Sequence, residues 1–389
     1  MKLQTLQDMP DLQGKKVIVR VDFNVPLDES GDIRNDVRIQ FAVPTLQYLL
    51  SKGVAQLILM THVGRPKNNE PELKTDKIAQ RLGEFLEETV KKIDDWGEKG
   101  LPQAKVVMLE NLRFHPGEKS KEEAERDSFG AQLAGLADFY VNEAFSNSHR
   151  SHASMTGVPA LIPGFAGFGV QKEMEVIGEA LENPKHPVVA VIAGAKADKL
   201  SAIGNMLQLA DAVMIGGALA FALRGRQGYS IGSSLIDTEG MAEMADVVEK
   251  ITASQKVLLP KDAVVATEFS ETAEHKVVPI DGIEAGWMAL DIGPETTQEY
   301  VEKIKEAKTI LWFGPVGVFE MEPYSHGTEA VAHAMAENPG TTIVGGGDSA
   351  TAVKKFNVES EMTHVSTGGG ASLRMIEGKP LPAIEILKR

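Results

Sequence analysis

One rhythm recurs along this chain and limits its fold more than any other feature: a short β-branched run ends in glycine or polar residues, and a stretch with helically spaced apolar residues follows. Parallel strands need such crossovers, so the rhythm predicts an α/β fold of doubly wound, Rossmann-like parallel sheets. In the first half the runs are residues 17–23, 57–60, 106–109 and 139–141; in the second they are 188–192, 212–215, 257–259, 309–313, 341–344 and 365–366. At 389 residues the chain exceeds what one hydrophobic core usually serves, which predicts two domains with a cleft between them. Between the two sets of runs, Val170, Met174, Ile177 and Leu181 recur at helical spacing among Lys172, Glu173, Glu175 and Glu179. Asn183 and Pro184 end that pattern, so residues 169–184 read as a connecting helix.

Ligands of open α/β sheets bind beyond the carboxyl ends of the strands, so the residues that follow each run are the place to look for chemistry. The first set delivers Asp22 and Asn24, His62 and Arg65, Asn111 and Arg113, then His149 and Arg150. In VIVRVDFN, residues Val17, Val19, Val21 and Phe23 alternate with Ile18, Arg20, Asp22 and Asn24, which puts charge on a strand that would ordinarily be apolar on both faces. Arg38, His62, Arg65, Arg113 and Arg150 occupy loops after different strands, an arrangement in which several forked donors converge on one anion. The alternative for any single arginine is a solvated surface ion pair. His149 and His152 lack carboxylate or cysteine partners nearby and make a poor metal site.

The second mouth is rich in glycine. TTIVGGGDSATAVKKF leads from a strand through the glycines at 345–347 and Asp348 and Ser349 into a helix, whose N-terminal N–H groups suit phosphate. Asp348 has two readings, a helix N-cap alone, or a cap that also offers a hard oxygen to Mg2+ between phosphates. VSTGGGASLRMIEG repeats the design. LWFGPVGVFE adds a turn followed by Glu320, either an acceptor for ribose hydroxyls or a solvated carboxylate. In AGAKADKL, either Lys196 or Lys199 can reach a transferring phosphoryl group, and the bland reading of both is surface lysine.

Composition removes several classes. A net charge of -15 argues against nucleic-acid binding, which needs a basic face. The absence of cysteine excludes disulfides, thiolate zinc sites and a Cys nucleophile together. No window approaches the roughly 18 apolar residues of a membrane span, and residues 1–10 lack the basic-then-apolar pattern of a signal peptide, so the cytoplasm is the expected compartment. There is no G-x-x-x-x-G-K-[ST] loop, no H-R-D with D-F-G, no G-x-S-x-G elbow, and no G-x-G-x-x-G after a strand.

From end to end the motifs resemble those of the phosphoglycerate kinase family: VIVRVDFNVP, THVGRP, LENLRF, VNEAFSNSHRSHAS, GPVGVFE, GGGDSA and STGGGAS occur in the family's order. The resemblance implies reversible phosphoryl exchange between 1,3-bisphosphoglycerate plus ADP and 3-phosphoglycerate plus ATP, with Mg2+, small-molecule partners alone, and a monomer that closes on its ligands. It places the acid on a domain of residues 1–168, joined in space by a tail of residues 371–389, and the nucleotide on residues 185–370. Asp22, Phe23, Asn24, Arg38, His62, Val63, Gly64, Arg65, Arg113 and Arg150 are the implied acid-binding residues. Lys196, Lys199, Glu320, Gly346, Gly347, Asp348 and Ser349 are the implied nucleotide site, with Asp348 on the metal and Arg38, Lys196 and Lys199 catalytic. The chain departs from the family where Lys196 and Lys199 stand three apart rather than four, where Phe313 replaces the asparagine of W-N-G-P, and where Arg374 follows Leu373 in place of a frequent acid.

Overall fold

The computed structural model describes residues 2–97 and 100–389. It divides into two compact units, one of residues up to Glu175 together with Pro380–Arg389, the other Val176–Lys379.

In the first unit, β1 (Lys16–Val21), β2 (Gln56–Met60), β3 (Val90–Ile93), β4 (Val106–Leu109), β5 (Phe139–Glu143) and β6 (Gly164–Ala166) form one six-stranded sheet in the order β3-β4-β2-β1-β5-β6. Every pairing in it is parallel. The helices α1 (Val37–Ser51), α2 (Asp76–Leu86), α3 (Glu123–Ala134), α4 (Val158–Leu161) and the first part of α5 (Phe168–Glu182) accompany it. The expected run 17–23 ends as a strand at Val21, and Phe23 lies just past it. The edge strands β3 and β6 escape the pattern because VKKI is half lysine and GFA is too short for any period.

In the second unit, β7 (Val188–Ala193), β8 (Ala212–Gly216), β9 (Val257–Leu258), β13 (Thr309–Phe313), β14 (Thr341–Gly345) and β15 (His364–Val365) form a second parallel six-stranded sheet, ordered β15-β14-β13-β7-β8-β9. Its helices are α6 (Leu200–Leu209), α7 (Gly217–Arg226), α8 (Thr238–Glu243), α9 (Ala245–Ala253), α10 (Pro294–Glu306), α11 (His326–Ala336), α12 (Gly347–Lys355) and α13 (Gly370–Ile376). A three-stranded antiparallel sheet of β10 (Asp262–Ala266), β11 (His275–Pro279) and β12 (Met288–Ile292) was not expected. Its strands follow one another without an intervening α-helix, so the strand-then-helix rhythm passes over them. The core holds Trp312 and Tyr300 fully buried, each with its polar end satisfied: Trp312 Nε1 donates to Gly314 O at 2.7 Å and Tyr300 OH to Ile215 O at 2.8 Å.

Two buried carboxyls sit against helix N-termini. Glu143 at the end of β5 accepts the Gly169 N–H at 2.9 Å, in the first turn of α5, and Asp291 in β12 accepts the Gly327 N–H at 2.8 Å, in the first turn of α11. Burial pushes each up to about 8, against the pull of those N–H donors. In the first unit, Lys2 and Arg389 exchange backbone hydrogen bonds, both at 3.1 Å, Gln4 N–H donates to Leu387 O at 3.0 Å, and α14 (Pro382–Glu385) is tied to the loop after β5 by Ala383 N–H to Ser148 O at 3.2 Å. Among the described residues no helix is long and apolar enough to cross a membrane.

Candidate active site

The first sheet changes direction at β1: the chain lays β2, β3 and β4 on one side of β1, then returns to place β5 on the other. Such a reversal opens a crevice beyond the carboxyl ends of the central strands. Asp22 follows β1 directly, and its Oδ2 accepts from Arg38 Nη1 and from Ser146 Oγ, both at 2.5 Å. Arg38 stands in the first turn of α1 and Ser146 follows β5, so one carboxylate ties three segments. Phe23 is buried, with its N–H donating to Thr61 Oγ1 at 3.0 Å, and Asn24 Oδ1 accepts the Gly64 N–H at 2.8 Å. Gly64 has φ +61, and a Cβ there would run into the Leu73 side chain. Asn111, after β4, accepts the N–H groups of Val63 at 3.2 Å and Arg113 at 3.1 Å while donating to Val63 O and Leu73 O, both at 2.9 Å. The loops after β1, β2 and β4 are thereby one frame.

That frame carries crowded cations. Arg113 Nη1 donates to Gly64 O, while its Nε is buried without a partner. Burial lowers Arg113 to about 10, assisted by repulsion from Arg150, Arg20 and Arg65. Arg150 is lowered by burial and by Arg20 and Arg65, with Asp22 opposing. Arg65 is exposed and has no hydrogen bond or ion pair among the described residues. His62 is buried and also shifted down, by burial and then by Arg20, Arg113 and Arg150. A set of positive groups that raise one another's energy is matched by a multiply charged anion.

In the second unit the reversal falls between β7 and β13. Lys199 closes on that point: its Nζ donates to the carbonyl of Ala193, which ends β7, and to that of Phe313, which ends β13, at 3.4 Å for the latter. Burial lowers its pKa, with Asp198 and Asp348 opposing. Lys196 is exposed, in a loop braced by Asp237, which accepts the N–H groups of Ala197 at 2.9 Å and Gly240 at 3.1 Å. Gly314 has φ +98, and a Cβ there would meet Ala193 O and Lys199 Nζ. Its N–H donates at 2.6 Å to Ser349 Oγ, so Ser349 is buried and fastens this loop to α12. Gly346, with φ +93, is the N-cap of α12, which leaves Gly347 and Asp348 exposed in its first turn. The cap reading of Asp348 is therefore corrected. Glu320 is exposed, and its carboxylate has no hydrogen bond among the described residues.

Phe313 is 2% exposed, and its ring lies over Gly345 of β14, where any side chain would collide with it. Among the described residues no three His, Asp or Glu side chains group to hold a metal. The donor that remains, the exposed Asp348 carboxylate beside free helix N–H groups, fits Mg2+ in its usual manner, held by one or two carboxylates and the substrate's phosphates. Reasoning from sequence noted Arg20 only as a charge on the first strand and passed over Glu118, Ser154, Thr61 and Ser146, which with it underlie the cationic mouth. Arg20 left a signal, since a charge inside an otherwise apolar strand demands buried partners; Glu118 and Ser154 left none.

Comparison with known proteins gives a consistent result. A model of the family described as phosphoglycerate kinase matches residues 6–379. The phosphoglycerate kinase of Moorella thermoacetica is 48% identical over 98% of this chain and 98% of its own, and that of Pelotomaculum thermopropionicum is 45% identical over 100% and 99%. Among solved structures, phosphoglycerate kinase from Coxiella burnetii superposes with a TM-score of 0.87 at 37% identity, covering 99% of both chains. That from Pyrococcus horikoshii superposes with 0.82 at 30% identity, covering 99% of this chain and 98% of its own.

Proposed function

The chain belongs to the phosphoglycerate kinase family and is a phosphotransferase with a carboxyl acceptor; on that footing we propose that it exchanges a phosphoryl group reversibly between 1,3-bisphosphoglycerate plus ADP and 3-phosphoglycerate plus ATP, as a cytoplasmic, glycolytic monomer. The observation that carries the reading is the cationic mouth at a sheet reversal point, where Arg113 and Arg150 face His62, Arg65 faces both of those arginines, and Asp22 holds Arg38. An acid bearing a carboxylate and a phosphate supplies the negative charge this frame calls for.

The attacking carboxylate is already ionised near neutrality, so transfer needs no general base. What the residues must do is align donor and acceptor and neutralise charge on a loose transition state. Asn24, His62, Arg65, Arg113 and Arg150 bind the acid, with Phe23, Val63 and Gly64 supplying the backbone frame. Asp22 aims Arg38 at the transferring group. On the nucleotide side, Lys199 meets the phosphoryl group, Lys196 stands further out, and Gly346 and Gly347 open the first turn of α12 toward the phosphates. Ser349 fixes that turn, Glu320 accepts from the ribose, and Asp348 would hold Mg2+, which supplies charge neutralisation across the phosphate oxygens. Transfer is in line.

A coupled assay for ATP-dependent phosphorylation of 3-phosphoglycerate tests the reading: turnover dependent on both substrates is expected. Nucleotide binding without turnover would leave a binding protein in its place.

A further inference from the structure

Beneath the cationic mouth lies a chain of buried polar groups that the transfer itself does not use. Arg20 is fully buried in β1, and each part of its guanidinium is engaged: Nε donates to Ser154 Oγ at 2.9 Å, Nη1 to Val21 O at 2.5 Å, and Nη2 meets His62 Nδ1 at 2.9 Å. Ser154 in turn donates its Oγ–H to Glu118 Oε1 at 2.7 Å and its N–H to Glu118 Oε2 at 3.0 Å. Glu118 is itself fully buried.

A guanidinium has donors and no acceptor. The imidazole nitrogen that it meets must therefore carry the lone pair, which leaves the ring proton on Nε2. We propose that Arg20 is a positioning residue: through its bond to Nδ1 it fixes His62 as the neutral Nε2–H tautomer, a hydrogen-bond donor, and not a cation, toward the acid. Nε2 has no hydrogen bond among the described residues and is absent from the buried nitrogens left unpaired, so it remains open to a ligand. The charged and titratable groups facing the ring are Arg20 on β1, Arg113 after β4, and Arg150 and His152 after β5; all of them oppose a second ring proton, as does burial. A fixed donor of this kind reads an acceptor oxygen on the acid, hydroxyl or carboxylate, at any working pH. The inference deepens the proposed function and rests on His62 facing the acid.

The test uses the whole protein labelled with 15N-histidine, followed by long-range proton–nitrogen correlation from about pH 5.5 to 8, the range in which an ordinary histidine titrates. The His62 ring is identified by its loss in His62→Gln. The expected spectrum is the Nε2–H pattern throughout, with the Nε2 proton shifting on addition of 3-phosphoglycerate. An Nδ1–H pattern, or a ring that titrates in the ordinary range, overturns the proposal without any variant at Arg20. In the paired variant Arg20→Met with Glu118→Gln, which removes the buried charges together, the ring titrates again and KM for the acid gains a pH dependence and rises about tenfold, the cost of one misdirected hydrogen bond to a charged ligand. A flat KM profile with an unaltered ring spectrum in that variant also counts against it. If the Nε2–H pattern holds while the acid neither shifts it nor is turned over, the functional reading fails and the tautomer assignment stands.

Discussion

Arg38 is bound to the protein through Asp22, and that same carboxylate also holds Ser146, so removing the guanidinium leaves the loops tied. Arg38→Ala should therefore keep the native circular dichroism and lose about 100- to 1000-fold in kcat, the usual cost of one donor to a transition-state charge. Near-normal turnover would remove Arg38 from the role. Arg65, exposed and without a protein partner among the described residues, should act differently: Arg65→Ala raises KM for the acid with kcat held at saturation. The lysines separate in the same way. Lys199→Met should cost about 100-fold in kcat and Lys196→Met far less, because the Lys199 ammonium is the one drawn to the ends of β7 and β13. The strand-end arginines were legible in sequence because a charge after a buried run has few structural uses. The choice between Lys196 and Lys199 was not, since one deleted residue changes which side chain points inward and the sequence does not say which. The place of Phe313 was not legible either: on a parallel strand both faces are buried, so a large ring can leave the mouth without exposing itself.

The helix N-termini of α5 and α11 rest on carboxyls that are neutral in the fold near pH 7. A group whose folded pKa is raised contributes stability that is fully present below its ordinary value and is lost as pH rises through the folded value, here about 8. Urea unfolding should thus show stability increasing as pH falls from about 8 to about 5, and Glu143→Gln or Asp291→Asn should flatten that slope for its own unit. An unchanged slope in both variants would mean these carboxyls are ionised in the fold. At β13, Phe313→Ala should lower stability by about 3 to 5 kcal/mol, measured by the same unfolding curves, since the ring fills the space that Gly345 leaves open. The parallel strands were readable because each ends in glycine or a charged residue before a helix. The antiparallel sheet of β10, β11 and β12 was not, because its strands follow one another with no α-helix between them and so lack the strand-then-helix rhythm.

The whole chain carries -15, yet its anionic substrate would enter through a mouth of arginines. At about 0.15 M salt, charges beyond about 8 Å are screened, so the local cluster should outweigh the global field. kcat/KM for the acid should fall as potassium chloride is raised; a rise would mean that the net charge governs encounter. Two parallel-sheet units were legible from length and rhythm together, whereas their exact makeup depends on contacts between segments far apart in sequence. The first unit shows this most plainly, since residues 2–4 are hydrogen-bonded through their backbone to residues 387–389. During synthesis the residues of the second unit leave the ribosome before Pro380–Arg389 do, so the unit that starts first must wait for the other before its outer pairing can form.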